Sequence, residues 1–208
     1  MFNLTRRASE RSIGTLLPML DAAFLKTTFD AGLPYAEYVA TGKPDQQAAW
    51  ADIYAQAELT DDQRKLLNGF TREMHILVSS GVWCGDCVQQ CPLIQRIAEA
   101  NSDDIHLRLV DRDEHAEFAR RVMICGGQRV PMVVVAAEDF EFCALLGDRT
   151  LTRYRAMADR QLGPSCPMPG APVPTEELRA TLADWLDDIE RVQLMLRLST
   201  RLRQKHED

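Results

Sequence analysis

The sequence predicts an α/β fold, a mixed sheet with helices on both faces, preceded by a helical N-terminal extension. Three observations carry this. From residue 74 onward, short apolar β-branched runs alternate with helix-period segments in the order β-α-β-α-β-β-α. Before residue 71 the periodicity is helical throughout. Between the two regions, "WCGDC" at 83–87 falls where a strand run ends and a helix run begins. The division this implies is residues 1–71 as a helical extension packed on the core and residues 72–208 as the α/β domain.

The helical pattern runs from about Gly14 to Phe70. "PMLDAAFLKTTFDA" places Met19, Leu20, Ala23, Phe24 and Thr27 near one face, and Gly32 and Pro34 break it. "YAEYVATG" is a short helical turn. In "DQQAAWADIYAQAEL", Trp50, Ile53, Tyr54 and Ala57 recur at helical spacing, as core residues. "TDDQRKLLNGF" opens on Thr60 as an N-cap, with acids in its first turn. "MHILVSS" at 74–80 reads as a buried strand and "CVQQCPLIQRIAEAN" at 87–101 as a helix. "IHLRLVDRD" at 105–113 alternates like a strand. "EHAEFARRVMI" at 114–124 is a helix stopped by Gly126-Gly127. "VPMVVVAAE" at 130–138 and "FEFCALLGD" at 140–148 form an antiparallel hairpin, whereas the first two strands are parallel, with a right-handed crossover. A Pro-rich loop covers 163–174. From Thr175 one long amphipathic helix carries Leu178, Leu182, Trp185, Ile189, Val192 and Leu196 as its apolar stripe; about 30 residues would reach roughly 45 Å. Its distal half is expected to pack within the chain, on the N-terminal helices.

The chain has 208 residues, enough for a well-buried core, and a formal charge of −7. That balance argues against general nucleic-acid binding, and no apolar stretch approaches the roughly 18–20 residues a bilayer span needs. The N-terminus reads as mature protein rather than a signal peptide, so a cytoplasmic location is expected, with the six cysteines reduced, catalytic or metal-bound rather than stapling a scaffold.

Three of those cysteines lie in "WCGDCVQQCP". Cys84 sits at the start of a helix, where unpaired N–H groups and the positive end of the helix dipole stabilise a thiolate. Cys87, one turn along the same face, is close enough to close a disulfide. A strand-Cys-x-x-Cys-helix arrangement is therefore read as a redox dithiol. Cys91 is either a further thiol that traps or resolves a disulfide or a small buried residue, and burial is the favoured reading. A Cys-ligated metal site needs a distant fourth ligand, such as Cys125, Cys143, Cys166 or a histidine. Cys125 and Cys143 are read as structural filler, and Cys166 as an exposed thiol in the Pro-rich loop. His75, His106, His115 and His206 are scattered without ligand spacing and are expected at surface or edge positions; no metal ligand is assigned.

"WCGDC" resembles the "WCGPC" of thioredoxins. Pro92 lies five residues after the second cysteine, where thioredoxins have a helix-kinking proline. "VDRD" ends the second strand, "VP" at 130–131 opens the third, and Gly147 follows the next, all at positions similar to the family's. The resemblance covers roughly residues 72–150 and implies a thioredoxin-like fold. It further implies that Cys84 is the exposed nucleophile and Cys87 the buried resolving thiol. Trp83, Gly85 and Asp86 would shape the site. Pro131 would be cis, with the Val130 backbone offering hydrogen bonds to an extended substrate. The sequence departs from thioredoxins at three places: Val78 stands where the family holds a buried acid, Asp86 where it has proline, and Met132 where it has threonine. Asp86 is either a proton acceptor for Cys87 in place of the missing acid or an N-terminal-turn acid favoured by the helix dipole.

The resulting expectation is a thiol–disulfide oxidoreductase that reduces protein or small-molecule disulfides through Cys84 and Cys87. It needs no bound cofactor beyond that redox-active pair, but it needs an external reductant, hence a partner reductase system. No nucleic-acid or membrane partner is expected, and the oligomeric state is left open, a monomer being compatible. The alternatives are a non-catalytic binding or scaffold protein of the same fold and, third, the Cys-ligated metal protein.

Overall fold

The computed structural model describes residues 20–162 and 173–208. Gly14, Met19, Cys166 and most of the Pro-rich loop lie outside the described residues. Among the described residues four helices come first: α1 (Ala22–Ala31), α2 (Tyr35–Ala40), α3 (Pro44–Gln56) and α4 (Asp61–Leu67). Then follow β1 (Met74–Ser80), α5 (Gly85–Ala100), β2 (Ile105–Asp111), α6 (Ala116–Arg121), β3 (Met132–Ala137) and β4 (Phe142–Gly147). The chain ends with α7 (Leu151–Leu162), α8 (Thr175–Leu198) and α9 (Thr200–His206).

The sheet order is β2-β1-β3-β4. β1 pairs parallel with β2 and antiparallel with β3, and β3 pairs antiparallel with β4. β1 is buried along its whole length, because helices cover both faces. Met74, Ile76 and Val78 face one layer, with Trp50 of α3, Leu93, Ile94 and Ile97 of α5, and Trp185 and Ile189 of α8. Leu77, Val110, Met132 and Val134 face the other, with Leu25 and Phe29 of α1 and Phe118 of α6. This alternation is the period-2 geometry of a strand buried on both sides. The β2 edge is capped where Leu33 exchanges both backbone hydrogen bonds with Leu109 (2.9 Å each), so that the edge is not left open.

The N-terminal helices share the first layer's core: Tyr38, Trp50, Ala57, Leu59, Leu67 and Phe70 pack into the same apolar cluster as the sheet. Thr60 caps α4 as its sequence suggests. Its hydroxyl accepts from the Gln63 N–H, while the Gln63 side chain accepts from the Thr60 N–H. α5 continues through Pro92. Gly147 ends β4 at φ +99°, a left-handed value that glycine adopts without a Cβ penalty.

Two expectations change here. Residues 151–162 form α7, an element absent from the predicted order. The single long C-terminal helix is two: Ser199, in an extended conformation, separates α8 from α9. The stripe Leu178, Leu182, Trp185, Ile189, Val192 and Leu196 is buried as expected, but α8 is about 36 Å long rather than 45. The break lets the C-terminus fold back. Arg201 pairs with Asp139, and Lys205 and His206 pair with Glu138, at the β3–β4 turn, while Arg72 pairs with Asp208 at 2.5 Å.

Candidate functional site

β1 ends at Ser80, and the next four residues deliver Cys84 to the first position before α5. Cys84 is the N-cap residue of α5, with extended backbone angles (φ −85°, ψ 124°). Its N–H donates to the Gly81 carbonyl at 2.8 Å, closing a turn, and its own carbonyl accepts from Val88 at 3.0 Å. The thiol is therefore held where the unpaired N–H groups of the helix start converge. Gly85, at the first helical position, has nothing within 4 Å of where a Cβ would lie, so the space beside Cys84 is open.

Cys84 is partly exposed and Cys87 fully buried; both are free thiols. The Cys84 thiol faces the Val130 carbonyl at 3.5 Å, and the Val130–Pro131 peptide is cis. Cys87 accepts the Gly81 N–H at 3.4 Å. The two sulfurs are near enough to influence one another's ionisation. Both thiol pKa values stand above the ordinary range. For Cys84 the chief cause is the Cys87 sulfur and then burial, while the N–H groups of Cys87 and Asp86 pull it down. For Cys87 the chief cause is burial. The pair ionises as a unit, since a charge on either sulfur opposes the second.

Trp83 is 51% exposed beside the dithiol. Its ring packs against Gly81, where an added Cβ would fall 2.8 Å from it, and the Arg112 guanidinium sits 4.9 Å from the ring centre. Val130 and Pro131 are buried. Cys91 is buried in the core, its sulfur 3.9 Å from the Ser80 hydroxyl. Cys143 is half-buried on β4, and burial pushes its pKa up to about 11. Cys125 departs from the filler reading: it is exposed, in a turn with φ +50°. Val78 is a fully buried core residue.

Asp86 has a different role from the one its place in the motif suggests. One carboxylate oxygen is bound by Arg149, and the other by Arg153 through Nε at 3.3 Å and Nη2 at 3.2 Å. With each oxygen engaged by a guanidinium, the carboxylate is committed to α7 rather than to a thiol's proton. Arg153 also reaches Glu177 of α8 at 2.6 Å, and Arg160 binds the same carboxylate at 2.7 and 3.0 Å. Arg160 and then Arg153 hold the Glu177 carboxyl below its ordinary range, against the opposing effect of burial. This chain of charges locks the first turn of α5 to α7 and α8. Sequence reasoning missed both arginines: Arg149 lies just before α7 and Arg153 in its first turn, and neither belongs to a motif. Buried Gln90 adds a second tie, donating to the Asp148 carbonyl at 3.0 Å.

The N-terminal helices also reach the site. The Trp50 indole N–H donates to the Val82 carbonyl at 2.9 Å, so α3 holds the loop that carries Trp83 and Cys84. Trp50→Phe is expected to cost about 2–3 kcal/mol, from the orphaned carbonyl and the lost ring volume. Urea unfolding measures the loss. Faster amide exchange at Cys84 would show that the loop has loosened; unchanged exchange would place the whole effect in the core.

Among the described residues, none of the cysteines falls in a metal-ligating group. No described helix is long and apolar enough to cross a membrane.

Comparisons with known proteins bear on the fold. In solved structures, a protein of unknown function from Pseudomonas aeruginosa, PA1234, matches with a TM-score of 0.64 and 21% identity, over 82% of this chain and 97% of that one. An HIV epitope-scaffold matches with a TM-score of 0.59 and 18% identity, over 77% of this chain and 96% of that one. A family model described as Thioredoxin matches residues 32–159, which starts well upstream of the resemblance read from the motifs and takes in α2, α3 and α4. With more than half its length matched by that model, the chain belongs to the thioredoxin family.

Proposed function

We propose that the protein is a thiol–disulfide oxidoreductase with Cys84 as nucleophile and Cys87 as resolving thiol. The observation that carries the reading is the setting of the Cys84 sulfur. It is partly exposed at the N-terminus of α5, beside buried Cys87, and faces the Val130 carbonyl next to Pro131. In the reductant direction the Cys84 thiolate attacks one sulfur of a substrate disulfide. The S–S bond breaks, the other substrate sulfur leaves as a thiolate and takes a proton from water, and a mixed disulfide forms. Cys87 then loses its proton to solvent and attacks the Cys84 sulfur. The second substrate thiol is released, and Cys84–Cys87 becomes a disulfide. Two electrons pass from the dithiol to the substrate, and an external dithiol reductant, supplied by a reductase system, restores them. No organic cofactor is required, and a reducing compartment such as the cytoplasm suits this direction. Trp83, Gly85 and the Val130–Pro131 backbone border the place a substrate would occupy.

The test is turnover of a protein disulfide with a small dithiol as regenerating reductant. Wild type is expected to turn over and Cys84→Ser to fall to the uncatalysed background; equal rates would remove the enzyme reading. A second reading, a binding protein of the same fold, is favoured by the upward shift of both thiols. It requires that Cys84 resist alkylation in the native protein.

A further inference from the structure

The end of the sheet remote from Cys84 holds a second constellation of chemically capable side chains. Glu73 and His75, two apart on one strand path, project to the same face. His106 is the register partner of His75 on the adjacent parallel strand, so its side chain stands beside that of His75. Thirty residues of sequence lie between the two histidines, which hides the cluster from any spacing motif. His75 is buried at 7% exposure, contrary to the surface or edge position its sequence context suggests, while His106 and Glu73 reach solvent. Among the described residues these three form the group of potential ligands whose donor atoms all lie within 4.8 Å of one another.

The His75 ring is fixed before any ligand arrives. Phe140 stacks on it with 4.0 Å between ring centres, and Phe29 meets it edge-on at 4.8 Å. Its Nδ1 lies 3.0 Å from the Ala137 carbonyl, which can only accept, so Nδ1 carries a proton. In the neutral ring, Nε2 is then a lone pair, and it faces the Glu73 carboxylate at 3.4 Å. That pair can be bridged by a proton on Nε2 or by a metal cation. The His106 Nε2 converges on the same carboxylate oxygen at 3.3 Å.

We propose that Glu73, His75 and His106 form a binding site for a divalent transition-metal ion of borderline softness, Zn²⁺ being the best fit. Tetrahedral zinc with Zn–N near 2.0–2.1 Å and Zn–O near 2.0–2.2 Å sets its nitrogen and oxygen ligands about 3.3–3.5 Å apart. The two histidine-to-carboxylate separations, 3.4 and 3.3 Å, already have that value. The third edge, between the two Nε2 atoms, closes by movement of His106, the partly exposed member. A His ligand whose other ring nitrogen is anchored on a backbone carbonyl is the arrangement that fixes tautomer and orientation in metal sites. Two nitrogens and one carboxylate oxygen leave a fourth position open to water, as the mouth of the cluster faces solvent. From His75 to Ser80 is about 16 Å of strand, so the site is separate from the dithiol.

The test uses the untagged full chain, titrated with Zn²⁺ by calorimetry, with metal content measured after dialysis. The thiols are controlled by the Cys84→Ser/Cys87→Ser variant. One Zn²⁺ per chain is expected in both proteins. His106→Ala and Glu73→Gln, at partly exposed positions, should each weaken binding by at least about tenfold, the lower end of what loss of an outer-shell partner alone costs. Zn²⁺ should raise the melting temperature of the cysteine variant and lose that effect when His106→Ala is added. The site would be refuted by the absence of Zn²⁺ binding in the micromolar range or by unchanged affinity in His106→Ala. Binding that disappears with the cysteines would refute it too. None of these outcomes depends on disulfide turnover, so the site stands or falls independently of the redox reading.

Discussion

Arg153→Ala is expected to destabilise the protein by about 3 kcal/mol, the lower end of the range for removing one member of a buried charge network. The side chains concerned are nearly closed to solvent: Arg153 is 9% exposed, Asp86 14% and Glu177 9%. Truncating the guanidinium leaves both carboxylates short of a partner in a medium that solvates them poorly. The loss stays near the lower end because Asp86 keeps Arg149 and Glu177 keeps Arg160. For a chain of this size, 3 kcal/mol is a fall of roughly 6–12 °C in melting temperature. Arg179→Ala is the control. It removes a solvent-exposed pair with Glu176 and is expected to cost no more than about 0.5 kcal/mol. The network would be shown to be incidental if both variants lost the same small amount. Combining Arg153→Ala with Asp86→Asn should cost less than the sum of the two, because the second change removes a carboxylate the first had orphaned.

That network explains why one element escaped the sequence. α7 carries Leu151, Tyr154 and Leu162 at helical spacing, but these stay exposed; its buried residue is Arg153, and ion pairs to α5 and α8 hold it in place. The apolar positions of α7 do recur at helical spacing, but they are few among four charged residues and bury little, so the segment reads as polar connection until its ion pairs are seen. The break at Ser199 escaped for a related reason. Serine is not a helix breaker, and the ion pairs that draw α9 toward Glu138 and Asp139 come from a turn some 60 residues earlier. Strands and their pairing were legible because β-branched runs on a doubly covered sheet carry a strong local signal. The dithiol was legible because its placement, between the first strand and the next helix, is local as well. The surroundings of the dithiol were not. Arg149 and Arg153 reach Asp86 from across the fold, and Trp50 reaches Val82 across 32 positions.

The same surroundings revise the role of Asp86. A carboxylate inside the motif should raise the thiol pKa values if it stood free. Paired with two guanidinium groups, it presents little net charge to the sulfurs and acts mainly as the anchor of the first turn of α5. Proton chemistry at the pair then falls to the thiols themselves, with solvent on the Cys84 side.

Cys87→Ala tests that conclusion and is expected to convert the protein from a turnover catalyst into a trap. Without the resolving thiol, the mixed disulfide on Cys84 has no internal attacker, so a substrate disulfide should leave a stable covalent adduct. Catalytic turnover should fall to background while adduct formation rises. The rise follows from the sign of the perturbation. The Cys87 sulfur is the largest influence raising the Cys84 pKa, whereas the backbone N–H groups that lower it remain in the variant. The Cys84 pKa is therefore expected to drop in the variant. For each unit of that drop, the thiolate fraction at neutral pH rises about tenfold, while intrinsic nucleophilicity falls about threefold, leaving a net gain of roughly threefold per unit. Iodoacetamide alkylation of Cys84 across pH measures the shift, and intact-protein mass counts the adduct. Should Cys84 alkylate at the wild-type rate and form no adduct, the sulfur would be controlled by burial and not by its neighbour, and the assignment of Cys87 as its resolving partner would fail.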